Sequence, residues 1–229
     1  MSIINKLQKF VFDEADIPEV VHRPPKPKSH NTPVRIKRTG VFTPRAYDTL
    51  FWCFYIIENG HEAYHMTGNH KFQIEKNKKI SFIEKIRANK TIMKAHKLKI
   101  NAIENDLLNN RYITKKTFIA LCILYDINII IIFDNYYYKH NANVSNPIHI
   151  IRADGDSYGL DTQSTNIDKE ISKLWRLENI SKPLKGISAY KIGELHKIYK
   201  TLFPSKSNDL QTMKSTKKIL YNLIRLKIE

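Results

Sequence analysis

The chain has 229 residues, 42% of them hydrophobic, and carries 38 Lys and Arg against 22 Asp and Glu, a formal net charge of +16. That apolar share is too high for a disordered chain, and the charge surplus opposes compaction unless a polyanion screens it. The sign points to nucleic acid first and an anionic membrane surface second; the longest apolar run, residues 129–133 with their neighbours, is too short to span a bilayer.

Residues 1–46 read as a basic, Pro-rich arm. It opens with a short amphipathic piece (Ile3, Ile4, Leu7, Phe10, Val11) that has acidic residues close behind it and no long uncharged apolar stretch, so no secretory signal is expected. Pro24, Pro25 and Pro27 then forbid a helix and favour extended backbone. Arg35, Lys37 and Arg38 close a strongly cationic stretch. It is either a solvated tail or a tether onto a polyanion.

Residues 47–180 read as a mixed α/β core. Asp48 is placed to cap a helix over 49–58, apolar nearly all round and therefore central, which Asn59-Gly60 should end. A second helix is expected over 79–102, with Ile80, Ile83, Ile86, Met93 and Ile100 on one face and Lys85, Arg87, Lys90, Lys94 and Lys97 on the other. Phe118, Leu121, Cys122 and Tyr125 follow at helical spacing. Residues 127–133 are a β-branched run that fits a strand buried on both faces. Residues 147–152, a turn at 154–157 and residues 158–160 read as a hairpin. Cys53 and Cys122 lie within apolar runs, as reduced core cysteines of a cytosolic setting do.

Residues 181–229 read as a small C-terminal helix-link-helix module. Lys182-Pro183 marks the join. Ser188 can cap a helix carrying Ile192, Leu195, Ile198 and Leu202, with Pro204 just beyond it. Ser215 or Thr216 can start a second, with Ile219, Leu220, Leu223 and Ile224 as its stripe. Glu194-Leu195 and Lys217-Lys218-Ile219-Leu220 resemble the two helices of SAP-type and Rho-N-type modules, although the link is long and Ser215 or Thr216 stands where glycine is usual. The resemblance implies DNA or RNA binding with the start of the second helix facing phosphates. The chemistry agrees, because Lys214, Lys217 and Lys218 surround a helix N-terminus whose free N–H groups favour anions.

Three other constellations carry possible chemistry. His61-Glu62-Ala63-Tyr64-His65 matches the zincin signature, two imidazoles one turn apart with a Glu to activate water, and Glu84 is the candidate third ligand. His70 arrives one residue early for a metzincin continuation, and Asn59-Gly60 breaks the helix the motif needs. A solvated His/Glu turn is therefore the expectation and a zinc-dependent hydrolase the alternative. Cys53 near Asp48, with His149 on a later strand, resembles OTU-type and papain-type proteases, but its apolar neighbours Trp52 and Phe54 suit a core thiol better than a nucleophile. Residues 136–140, three tyrosines followed by Lys139 and His140, are either a base-stacking stretch or an interfacial loop. Asp154 and Asp156 lack the further ligands of a calcium loop.

The segments YDTLFWCFYIIENG, FIEKIRANK, TFIALCILYDINIIII and KPLKGISAYKIGELHKI also resemble an uncharacterised protein family of large nucleocytoplasmic DNA viruses. That resemblance implies a virion-associated or viral-factory protein in the host cytoplasm. The combined expectation is an α+β fold and a non-enzymatic, nucleic-acid-associated protein, without cofactor, metal or membrane span. Phosphate contacts are expected at Lys191, Lys197, Lys214, Lys217, Lys218 and Arg225, and at Arg35, Lys37 and Arg38 in the arm. A minor capsid or structural interaction protein is the remaining alternative.

Overall fold

The computed structural model describes residues 40–180, 182–204 and 216–228. Among them are eight α-helices and one six-stranded mixed sheet, an α+β fold that includes a C-terminal helix pair. The expectations for the arm and for the link ahead of Thr216 lie outside the described residues.

Strand β1 (Val41–Phe42) leads into α1 (Thr49–Met66). Asp48 caps α1 as its position implies, with Oδ1 accepting from the Phe51 N–H at 3.0 Å. The expected break occurs at Gly60, which sits at φ 88°, ψ 164°. Helical backbone then resumes through Met66, so the element is longer than expected. Its first turns, from Thr49 to Phe54, are wholly buried.

The single helix expected over 79–102 is instead three: α2 (Lys71–Ala88), α3 (Lys90–Ala95) and α4 (Ile100–Asn109). Asn89 causes the first break, leaving helical backbone (φ −112°, ψ 41°) while its Nδ2 donates to the Lys85 carbonyl at 2.9 Å. Lys97, in the left-handed region at φ 55°, turns the chain between α3 and α4. Ile83, Ile86 and Met93 stay buried through these breaks, while Ile80 is exposed. Helix α5 (Lys115–Leu124) starts at Thr114, whose hydroxyl accepts from the Thr117 N–H. Asp106 on α4 braces that start by accepting from the Thr114 N–H and from the hydroxyls of Thr114 and Thr117.

The rest of the sheet comprises β2 (Asn128–Ile132), β3 (Tyr136–His140), β4 (Ile148–Asp154), β5 (Ser157–Asp161) and β6 (Trp175–Leu177), with α6 (Ile167–Ile171) before the last. The order is β1-β5-β4-β2-β3-β6. Strand β2 is parallel to β4, and β3 to β6; the other pairs are antiparallel. β2 is buried on both faces as its composition predicts. Ile129 and Ile131 join the main core of helices, and Ile130 and Ile132 meet Ile171 on the opposite face. The tyrosine stretch, read as a base-stacking stretch or an interfacial loop, is strand β3, registered Ile131 to Tyr138 against β2.

Two features fasten the sheet. Arg152 on β4, 8% exposed, donates through Nε to Asp161 at 2.6 Å and through both Nη groups to Glu170 at 2.6 and 2.7 Å. Its Nη2 also reaches the Ser164 hydroxyl at 3.0 Å, so β5 and α6 are fastened to β4. Gly159 on β5 lies so close to the β1 side that an added Cβ would sit 2.6 Å from Val41 Cγ1 and 2.8 Å from Thr43 Oγ1. Gly159→Ala is therefore expected to displace the β1 edge and cost about 1–3 kcal/mol of stability, read by urea unfolding of the full chain.

Helices α7 (Ile192–Leu202) and α8 (Lys217–Ile228) pack on each other. Leu195, Tyr199 and Leu202 meet the main core with Leu220, Ile224 and Ile228. Ser188 does not cap α7; it lies in a separate 3-10 turn, Ile187–Ala189. Lys191 precedes the helix instead, its N–H donating to Glu194 Oε2 at 2.7 Å. Ile192, Ile219 and Leu223 are exposed, so both apolar stripes are narrower than their sequence suggests.

Candidate nucleic-acid interface

Several of the cations are engaged by partners of their own chain. Lys78 pairs with Glu58 at 3.0 Å, and Lys79 with Asp48 at 3.0 Å and Glu75 at 2.8 Å. Arg87 forks onto Glu104 at 2.8 and 3.0 Å, and Lys227 reaches Asp134 at 3.1 Å. Lys85 sits 3.3 Å from the Tyr125 ring centre, and Arg111 stacks 3.4 Å from that of Tyr47. Two of the five cations expected on one helical face, Lys85 and Arg87, thus serve internal contacts. Lys90, Lys94 and Lys97, with Lys99, are exposed on α3 and the turn after it.

On the C-terminal pair the arrangement differs. Lys217 and Lys218 occupy the first turn of α8, directly after Thr216. Lys191 precedes α7 and Lys197 lies on it, both exposed. Among the described residues no ion pair holds Lys191, Lys197, Lys217 or Lys218. Arg225, on the second half of α8, is exposed and already engaged by a neighbour. Arg35, Lys37, Arg38 and Lys214 lie outside the described residues.

A cleft of about 480 Å³ opens between β6, the segment after it and α7. Trp175 and Arg176 come from β6, Lys182, Lys185 and Tyr190 from the connecting segment, and Glu194 and Ile198 from α7. The connecting segment is held by two phenols. The Lys185 N–H donates to Tyr190 Oη at 3.1 Å, and the Tyr221 hydroxyl of α8 donates to the Lys185 carbonyl at 3.0 Å. Lys185 Nζ meets Glu178 at 3.0 Å, and Glu194 accepts from the Lys191 N–H. Arg176 and Lys182 are the exposed cations that these contacts leave facing the cleft. Sequence reading did not single out this group. Its signal is the spacing of Trp175, Arg176, Lys182, Lys185 and Tyr190 around Pro183, aromatic and cationic residues interleaved within sixteen positions.

The other constellations resolve as follows. His61 and His65 stand on the helical turn after Gly60, and both rings meet Phe42 edge-on, with centres 4.9 and 6.1 Å away. Glu62 is exposed on that turn, and Glu84 is exposed on α2. Among the described residues no three His, Cys, Asp or Glu side chains are placed to hold a metal ion. Cys53 is fully buried on the second turn of α1, its thiol donating to the Tyr158 carbonyl at 3.6 Å. Burial, with the Asp48 charge adding to it, pushes that thiol far above its ordinary range, the reverse of what a nucleophile needs. The helix start is held by Thr49, whose Oγ1 accepts from the Tyr158 N–H at 2.9 Å. His149 stands level with Ile129 across β4 and β2, and among the described residues no hydrogen bond joins it to Cys53. Cys122 is likewise free and buried. Tyr136 packs in the main core, stacked on Phe133 with ring centres 4.4 Å apart. No described helix is long and apolar enough to cross a membrane.

No family model, curated protein or solved structure matches the chain.

Proposed function

We propose that the protein is a non-enzymatic nucleic-acid-associated protein that contacts phosphates with little sequence specificity. One observation carries the reading: Lys217 and Lys218 stand on the opening turn of α8, Lys191 and Lys197 are exposed on the helix segment that packs with it, and among the described residues no ion pair holds any of the four side chains. A helix start offers N–H groups to an anion, and lysines add point charges that neutralise phosphates without reading bases. Binding therefore weakens with salt through counterion release. The viral resemblance of the sequence, taken with this reading, implies genome packaging, genome organisation or capsid attachment as the setting.

The test is a salt-titrated binding assay on the full chain. Lys217→Ala with Lys218→Ala is expected to weaken duplex binding by roughly tenfold and to flatten the log–log salt slope by about 2, since each lost phosphate contact removes about 0.9. Unchanged affinity and slope would overturn the assignment to this helix pair.

A second reading has an observation of its own. Ile219, Leu223 and Leu226 are 45%, 36% and 79% exposed and lie at helical spacing along α8. An outward apolar stripe of that kind supports a protein partner, as in a minor capsid or structural interaction protein. No affinity for DNA or RNA at moderate salt would favour it.

A further inference from the structure

We propose that the cleft beside β6 takes one unpaired nucleotide, its base against Trp175 and Tyr190 and its phosphate on Arg176 and Lys182, so that the protein prefers single-stranded nucleic acid to duplex. The inference rests on the nucleic-acid reading above and names its substrate class.

Size comes first. A volume of about 480 Å³ lies within the roughly 300–1,000 Å³ range of small-ligand sites and suits a nucleotide. A paired base is shielded by its partner and stacked on its neighbours, so it cannot enter a concave site of this width without leaving the helix. Wall chemistry comes second. The half-buried Trp175 and Tyr190 both line the cleft, one from the edge strand and one from the segment leading into α7. Flat aromatic walls suit a base, because every base has a π-face, and an acidic peptide offers nothing equivalent. Charge comes third. Of the charged residues lining the cleft, Lys185 pairs with Glu178 and Glu194 accepts from the Lys191 backbone N–H, so Arg176 and Lys182 are the lining cations without an ion pair among the described residues and available to a phosphate.

The walls are set before any ligand arrives. The strand carrying Trp175 is held by the Trp175 backbone N–H, which donates to the Asn135 carbonyl at 3.0 Å. The Tyr190 side is held at Lys185 by two phenols, and the Tyr190 and Tyr221 rings lie 6.4 Å apart. Ordering cost on binding is correspondingly small. This geometry also separates the cleft from the α8 lysines. The lysines meet backbone phosphate whatever the strandedness, whereas the cleft acts only on a base free to leave its stack.

The chain itself supplies the readout. It has two tryptophans, Trp52 fully buried and Trp175 lining the cleft. Oligothymidylate titrated into the full-length protein at low salt is expected to quench tryptophan fluorescence. A duplex of mixed sequence at equal phosphate concentration is expected to bind without that quench. Tyr190→Ala is expected to weaken oligothymidylate binding by roughly 5- to 100-fold, the range for loss of one stacked base, and to leave duplex binding unchanged. Arg176→Ala with Lys182→Ala, at two exposed positions that leave packing alone, is expected to reduce single-strand affinity by at least tenfold. Equal quenching by duplex overturns the proposal, as does single-strand affinity that the Arg176 and Lys182 substitutions leave intact; in both cases salt-dependent binding would persist and the wider reading would stand. No binding of either form at low salt would remove both.

Discussion

Arg152→Leu is expected to lower the stability of the fold by about 3–5 kcal/mol, because it takes the cationic partner from the nearly buried Asp161 and cuts the tie from β4 to Glu170 of α6. Asp161 is nearly buried, its side chain 4% exposed in the pair, and Glu170 belongs to α6, which covers the second face of the sheet. Burial pushes the Asp161 carboxyl up, but hydrogen bonds from Ser164 and Arg152 and from two backbone N–H groups outweigh it and hold the group below its ordinary value. A carboxyl lowered by folding contributes stability above its unfolded value, near pH 3.9, and loses that contribution as pH falls through the folded value. The parent protein should therefore lose this contribution below about pH 4. The deficit of Arg152→Leu should be largest near neutral pH and shrink in acid, where protonation removes the Asp161 charge that has lost its cationic partner. Urea unfolding of both proteins at pH 7 and pH 3 measures it. An equal deficit at both values would assign the loss to packing and not to charge.

Asp48→Ala should have an effect of similar size for a different reason. The carboxylate is 1% exposed and serves three groups from three parts of the chain. Oδ1 accepts from the Phe51 N–H to cap α1, and Oδ2 accepts from the Ile113 N–H at 2.9 Å and from Lys79 Nζ at 3.0 Å. Lys79 passes the network to Glu75, which takes the Trp52 indole N–H at 3.1 Å. Alanine removes the cap, worth about 1 kcal/mol, leaves a buried N–H without an acceptor, and takes one of two partners from a nearly buried ammonium. The combined loss is expected at about 3–5 kcal/mol, a fall in melting temperature of roughly 6–20 °C for a domain of this size. Asp48→Asn keeps one acceptor for the cap and should recover about 1 kcal/mol of that loss. If the two variants melt alike, the cap contributes little and the lost Oδ2 contacts to Lys79 and Ile113 carry the effect.

The parts of the fold legible in the sequence are those decided locally. Asp48 announces α1, and five β-branched or amide residues with no polar alternation announce a strand covered on both sides. The helix expected over 79–102 misleads because its apolar residues stay nearly in phase across the breaks at Asn89 and Lys97. Periodicity records which face is inward and does not record an interruption that preserves the phase. Strand β3 was hidden because its three successive tyrosines, followed by Lys139 and His140, lack the alternation that marks a strand; pairing with β2 and β6 decides it. The site divides the same way. Lysines at the start of α8 can be read from spacing, but which cations are neutralised depends on partners such as Glu58, Glu104 and Asp134, far away in the chain. The cleft joins an edge strand ending at Leu177 to a helix starting at Ile192, and the interleaved aromatic and cationic residues between them do not by themselves say that the chain folds back to make a cleft.

Both margins of the sheet are short: β1 has two residues and β6 three. Long flat margins invite addition of a further strand from another molecule, and with it self-association. Here each end offers too few unsatisfied main-chain groups to hold such a strand. A polymer lying along β6 would therefore be gripped by side chains and not stitched into the sheet, which leaves it free to slide and to dissociate as ionic conditions change.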